Sequence, residues 1–285
     1  MIHITECPRD AMQGIKTFIP TERKIEYLSA LLHVGFPVLD AGSFVSPAAI
    51  PQMADTSEVF DAISKQEFLT KILAIVANKR GAETAVNHPI VSILGFPFSV
   101  SETFQRRNTN ASITESFGRV EEMLEICDKH QKALVVYLSM AFGNPYGDVW
   151  SPLLVADYAH KLAEMGVKHL SFADTTGIST PESVTSLYKT IAPEFLDVSL
   201  SLHLHALPQD VTAKTQAAIE AGCTKIDAAL KGFGGCPMAA DNLTGNMATE
   251  KIVEWCDQNG FEHGLNTEAL KEAERIASLL FAEYH

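Results

Sequence analysis

None of the five cysteines has another within a CxxC spacing: Cys7, Cys127, Cys223, Cys236 and Cys256 stand singly along the chain. That excludes a dithiol redox motif, a paired-cysteine zinc site and a dense disulfide framework, and fits reduced thiols in a cytoplasmic compartment. Positive charge is short as well. Lys and Arg number 22 against 35 Asp and Glu, for a formal net charge of -13, which argues against nucleic acid as a partner. A small anion remains admissible, because a local basic cluster overrides the global sign. No apolar run is long enough to span a bilayer, so no membrane role is expected. No Pro/Gly/Ser-rich linker divides the chain, and residues 1–285 read as a single domain. Strand-like residues begin at Ile2, leaving no legible leader, although an organellar presequence removed earlier would leave no trace. Nor is there a Walker or Rossmann fingerprint, since the glycines of Lys231-Gly232-Phe233-Gly234-Gly235-Cys236-Pro237 follow the last strand in other spacings.

What is present is a core-forming composition, 46% hydrophobic and 20% charged, in which short apolar runs alternate with helical stripes. Strands are predicted over 2–5, 38–40, 72–76, 90–96, 133–138, 169–173, 198–205 and 224–228. A loop through Pro8 and Gly14 follows the first. Thr21 is a predicted N-cap for a stripe of Ile25, Leu28, Leu31 and Leu32. Further helices are expected around Phe60–Ile63 and over 79–87, 113–130, 152–165, 181–192, 211–221 and 248–258. An extra amphipathic helix over 268–281 is free to pack at a subunit or barrel-bottom surface. Eight strand–helix pairs predict an α/β fold, a (β/α)8 TIM barrel with an additional C-terminal helix. The rival, a doubly wound open sheet, would need an unusually large flat array.

The chain is organised around Val198-Ser199-Leu200-Ser201-Leu202-His203-Leu204-His205. Side chains at i and i+2 share a strand face, so both imidazoles aim one way while Leu200, Leu202 and Leu204 face the helices. Such a pair can grip one divalent cation, or it can be two partly buried histidines bonded to neighbours. In a barrel of this type, active-site groups come from the C-terminal strand ends. Those positions hold Glu6, Arg9, Asp10 and Gln13, then Asp40, Asp174, the two histidines and Asn246. One carboxylate, two imidazoles and an amide oxygen suit six-coordinate Mg²⁺, Mn²⁺ or Co²⁺. Each acid alone is equally well a cap or an ion-pair partner, and Asp174 before Thr175-Thr176-Gly177 has the form of a turn former. Cys236, on its glycine-rich loop, reads either as a general acid delivered by closure or as an inert small apolar residue.

Together these motifs resemble the 3-hydroxy-3-methylglutaryl-CoA lyase family of metal-dependent barrel lyases and synthases. The resemblance rests on Pro8-Arg9-Asp10 with Gln13 and Lys16, Ser43-Phe44-Val45-Ser46-Pro47, and Pro51-Gln52-Met53-Ala54-Asp55. It continues through Ser101-Glu102-Thr103-Phe104 with Asn108, Asn110 and Ser112, then Asp174-Thr175-Thr176-Gly177, His203-Leu204-His205, Gly234-Gly235-Cys236-Pro237 and Gly245-Asn246. It runs in order over nearly the whole chain. What it implies is a lyase cleaving 3-hydroxy-3-methylglutaryl-CoA to acetyl-CoA and acetoacetate, with Mg²⁺ or Mn²⁺ as cofactor and a homodimeric assembly. It makes Asp10, His203, His205 and Asn246 the metal ligands and Arg9 the stabiliser of the enolate oxygen. Cys236 falls on the closing loop and Asp174 in the catalytic pocket. Catalytic candidates are therefore Arg9, Asp40, Asp174, His203 and Cys236. Gln13 and Lys16 are candidates for substrate, and Lys16, Arg106, Arg107 and Lys231 for the CoA phosphates. The chain departs from the family pattern at Asp40, where Glu is usual, and at Ala206, where Asp is usual. Ala11-Met12 replaces Gly-Leu, Asn144 replaces Cys, and the span from Cys236 to Gly245 is a residue longer. Two other readings stay open: a Claisen-type synthase or a lyase for another acyl-CoA or 2-oxo acid, and a non-catalytic metal-bound acyl-CoA-binding barrel.

Overall fold

The structure, a computed structural model, describes residues 1–235 and 244–284. Eight parallel strands close on themselves in chain order: β1 (His3–Glu6), β2 (Val38–Ser43), β3 (Lys71–Ile75), β4 (Val91–Ser99), β5 (Ala133–Ser139), β6 (His169–Asp174), β7 (Ser199–Leu204) and β8 (Lys225–Ala228). β8 completes the ring against β1 through His3 opposite Lys225 and Glu6 opposite Ala228. Around it lie α1 (Pro8–Gln13), α2 (Thr21–Val34), α3 (Thr56–Ile63), α4 (Lys79–Val86), α5 (Glu102–Thr109), α6 (Ile113–His130), α7 (Pro152–Glu164), α8 (Pro181–Ile191), α9 (Val211–Glu220), α10 (Thr249–Gln258) and α11 (Thr267–Tyr284). The predicted barrel is the observed fold.

Three local expectations change. The loop through Pro8 is the short helix α1, because Pro8 supplies the fixed φ of a first helical turn and five of its six residues are buried. The N-cap of α2 is Pro20, with Thr21 already helical and its hydroxyl donated to Asp55 Oδ2 at 2.8 Å. Helix α5, which carries no apolar stripe, is held by the Ser101 cap and by buried Phe104. Asp40 sits inside β2, just before a bulge at which the register with β3 jumps from Asp40–Leu73 to Gly42–Ala74.

Two cores result. The outer one fills the space between barrel and helices, where Leu200, Leu202 and Leu204 are buried as their alternation requires. The inner one fills only half of the barrel: Leu73, Ile75 and Ile93 pack with Val135 and Tyr137. The facing wall, from β6 to β8, turns Ser171, His203 and Asp227 inward. Helix α11 runs along α2, its Phe281 edge-on to Tyr27 at 6.0 Å and stacked on Phe233 at 4.2 Å. Its apolar face is thus spent on α2 and on the loop after β8, not on a free surface. Burying Phe281 alone contributes about 1.5–3 kcal/mol.

Candidate active site

The sequence folds Arg9 and Asp10 into the mouth because α1 begins two residues after β1 and turns the chain across the barrel top. Arg9 is 8% exposed, and all three of its guanidinium nitrogens donate. Nε donates to both Asp40 oxygens at 3.2 and 3.1 Å, and NH2 to Asp40 Oδ2 at 2.5 Å. NH1 donates to Asp10 Oδ1 at 3.1 Å and to Gln13 Oε1 at 2.8 Å. Burial opposes the charge, but Asp40 and Asp10 outweigh it and hold Arg9 more firmly protonated than usual. Asp40 reaches the site only through Arg9, and burial pushes its carboxyl up against the pull of that cation.

Asp10 is the convergence point. Its Oδ1 accepts from Gln13 Nε2 at 2.7 Å and its Oδ2 from Asn246 Nδ2 at 2.6 Å. Burial raises its pKa, yet Arg9 and the two imidazoles prevail and hold it at about 2. Asn246 arrives from the far end of the sequence because residues 245–248 run beside β7 and β8: His205 bridges Asn246, and Ala206 N donates to Gly245 O at 2.9 Å. Gly234 is required here. Its φ is +114°, and a Cβ would lie 2.3 Å from Asn246 Nδ2.

At the end of β7 the two Nε2 atoms of His203 and His205 face each other at 3.2 Å. Asp227 Oδ2, which also accepts from Ser171 Oγ at 3.3 Å, lies 3.3 Å from His203 Nδ1. Burial disfavours the His203 cation, but Asp227 and Asp10 raise its pKa. Burial and the neighbouring His203 push His205 down. One potential ligand atom from each of Asp10, His203 and His205 lies within 4.8 Å of the others, all buried. Asn246 Oδ1 is buried without a hydrogen-bond partner. An orphaned acceptor beside a carboxylate and two imidazoles is the donor set a hard-to-borderline divalent ion takes, so the residues fit such a cation.

Beside these polar groups the mouth cavity is apolar, with Val45, Ile50, Phe104 and Tyr137 opposite the histidines. Of the sequence candidates, Arg9, Asp10, Gln13, His203 and His205 line it together. Asp174 is turned away: its carboxylate accepts from Ile178 N and Ser179 N, each at 3.0 Å, and from Ser179 Oγ at 2.5 Å. It also pairs with Lys214 Nζ at 3.3 Å, and that ammonium donates to His205 O at 2.7 Å. Lys16 is exposed, Lys231 is paired with Glu274 at 2.7 Å, Arg106 with Glu102 at 2.7 Å, and Arg107 lies over the Tyr146 ring at 4.7 Å. Asn144 shapes the loop after β5, accepting from Tyr146 N and Asp148 N. Cys236 lies outside the described residues. Lys214 and Asp227, which bond to His205 and His203, are not singled out by the sequence reading. The signal for Asp227 was its strand register, opposite His203.

A family model described as HMGL-like matches residues 2–277. The chain belongs to the HMGL-like family. Mouse mitochondrial hydroxymethylglutaryl-CoA lyase is 36% identical over 93% of this chain and 81% of its own length. The human cytoplasmic 3-hydroxy-3-methylglutaryl-CoA lyase is 32% identical over 93% of this chain and 71% of its own. Among solved structures, an HMG-CoA lyase from Acinetobacter baumannii, in complex with coenzyme A and 3-methylmalate, superposes with a TM-score of 0.92 at 30% identity. That match covers 99% of this chain and 92% of the other. The Brucella melitensis HMG-CoA lyase gives 0.91 at 30% identity, covering 98% of each. The family is one of metal-dependent lyases, in keeping with the donor set of the mouth.

Proposed function

We propose that this chain cleaves 3-hydroxy-3-methylglutaryl-CoA to acetyl-CoA and acetoacetate. The observation that carries the reading is the convergence of Asp10, His203, His205 and Asn246 beside a buried, doubly paired Arg9, in a chain of the lyase family. Those four residues would hold a divalent cation, Mg²⁺ or Mn²⁺, which would supply Lewis-acid polarisation of substrate oxygen.

The chain's own residues do the rest. Asp227 keeps His203 in one orientation through Nδ1, so that Nε2 stays aimed at the mouth. Transfer of the tertiary hydroxyl proton to a basic side chain of the mouth, a carboxylate or an imidazole, leaves the electron pair that forms the ketone of acetoacetate as the C–C bond breaks. The bonding pair moves into the thioester enolate, and Arg9, a permanent cation held flat by Asp40, meets the charge on its oxygen. Protonation of the enolate carbon completes acetyl-CoA, a task assigned to Cys236 on the glycine-rich loop. Gln13 fixes the Arg9–Asp10 pair from below, and Asp174 acts through Lys214 as a positioning residue for His205. The apolar wall around Ile50 and Phe104 excludes water from the carbanion-like centre. The test is release of acetyl-CoA from that thioester with Mg²⁺ or Mn²⁺ and after EDTA. No metal-dependent release ends the reading, and turnover of pyruvate or 2-oxoglutarate with acetyl-CoA instead would redirect it to a synthase.

A further inference from the structure

The other end of the barrel is not plugged. Strand starts from β1 to β8 enclose a cavity of about 540 Å³, within the range of small-molecule sites. Its wall sets a polar set, Thr5, Ser92, Ser199 and Ser201 with Lys71, Lys225, His3 and His169, beside the apolar Val38, Leu73, Ile93 and Val135. The sequence pattern dictates this. These positions are the inward-facing, N-terminal members of strands whose outward partners fill the apolar core.

Register makes the basic groups into a clamp. Lys225 stands opposite His3 on β1 and donates to Ser199 Oγ at 2.5 Å on β7, and Ser199 stands opposite His169 on β6. That arc occupies one rim, and Lys71 on β3 faces it from the other. Burial, and then the charges of Lys225 and Lys71, lower the pKa of His169. Among the described residues, the lysine ion pairs are those of Lys24, Lys214 and Lys231, so neither Lys71 nor Lys225 has a carboxylate partner. The one acid facing the cavity, Asp227, is already bonded to His203 and Ser171. In a chain of net charge -13, Lys71 and Lys225 thus set a local positive charge at this chamber, with Lys71 exposed at its rim.

We propose that the N-terminal mouth of the barrel is a second binding site, for a small doubly charged oxyanion of the phosphate-monoester or dicarboxylate type. The lysines supply charge from opposite rims, and the serine and threonine hydroxyls supply the hydrogen bonds. The site is separate from the histidine mouth, which lies beyond Tyr137, a residue that lines both cavities. The proposal stands whether or not the lyase reading holds.

The test is calorimetric titration of the metal-free full chain with inorganic phosphate and, separately, with succinate, at an ionic strength fixed by chloride. The expected result is saturable binding of at least one anion, weakened about tenfold by Lys225→Gln and by Lys71→Gln alike. Without anion, Lys71→Gln should melt at the parent temperature. Lys71 is exposed, so its substitution leaves a folded protein even where Lys225→Gln does not. Phosphate alone binding assigns the phosphate class, and succinate alone the dicarboxylate class. No saturable binding of either, or binding unchanged in both variants, overturns the proposal.

Discussion

Replacing Lys214 by Met isolates the least visible part of the site. Its ammonium lies 3.3 Å from Asp174 Oδ2 and 2.7 Å from His205 O, and the two side chains are 3% and 1% exposed. Removing one member of a buried ion pair costs about 3–5 kcal/mol, because the other charge is left uncompensated. Asp174 keeps three donors, Ile178 N, Ser179 N and Ser179 Oγ, so the low end applies, about 3 kcal/mol. Asp174→Asn in the same chain removes the orphaned charge, and the double variant should recover about 1–2 kcal/mol of that loss. Urea unfolding of the parent, both single variants and the double variant measures this coupling directly. Lys214→Met should also weaken Mn²⁺ binding by about tenfold, since the carbonyl of a liganding histidine loses its donor. A Lys214→Met chain within about 1 kcal/mol of the parent refutes the reasoning. So does a double variant no more stable than Lys214→Met. A double variant that folds and binds Mn²⁺ yet has lost all turnover shows Asp174 carrying a proton rather than positioning His205.

Three further outcomes follow from the same geometry. Arg9→Gln should lower kcat by about 10²–10³, the usual loss of one charge-stabilising donor, and Arg9→Lys should not rescue it, because an ammonium cannot match the two oxygens of Asp40. Glu6, wholly buried and bonded to Leu230 N and Thr249 Oγ1, has its pKa raised from 4.5 to about 8 by burial. It folds neutral but ionises in the unfolded chain, so its contribution to stability is complete below pH 4.5 and is lost as the pH rises towards 8. Glu6→Gln should therefore match the parent in acid and gain on it by up to about 1.4 kcal/mol per pH unit across that window, read by urea unfolding at several pH values. Gly234→Ala should loosen Asn246, since the added carbon meets Nδ2 at 2.3 Å and the residue must hold φ +114°. Weaker Mn²⁺ binding by at least about tenfold is expected, and parent-like affinity would show that the loop relaxes freely.

How far the sequence announced all this differs from residue to residue. The barrel was legible because each strand is a short apolar run followed by a helical stripe, and β7 betrayed its inward face by strict alternation. His203, His205 and Asp10 were legible because strand and loop positions at one barrel end are geometrically linked. Helix α1 was not, because six residues without an apolar period fold only when the mouth buries them. Nor was α5, whose capping depends on the loop after β5: Asp148 accepts from Ser101 Oγ, Thr103 N and Thr103 Oγ1. Lys214 and Asp227 are single charges inside an ordinary helix and strand. Parallel pairing of β7 with β6 and β8 brings them to Asp174, His205 and His203. Asp174 itself reads as a turn former in the sequence and is one in the fold, which moved it from the pocket to the layer behind.

One divalent cation, held by Asp10, His203, His205 and Asn246, is expected to be needed for cleavage of the thioester. The direct measurement is a Mn²⁺ titration of the metal-free chain, with bound metal and acetyl-CoA release followed on the same samples. One site per chain, filling in step with activity and lost in both readouts on His205→Ala, is the predicted result. Full acetyl-CoA release before any metal binds, or from the His205→Ala chain, would contradict it.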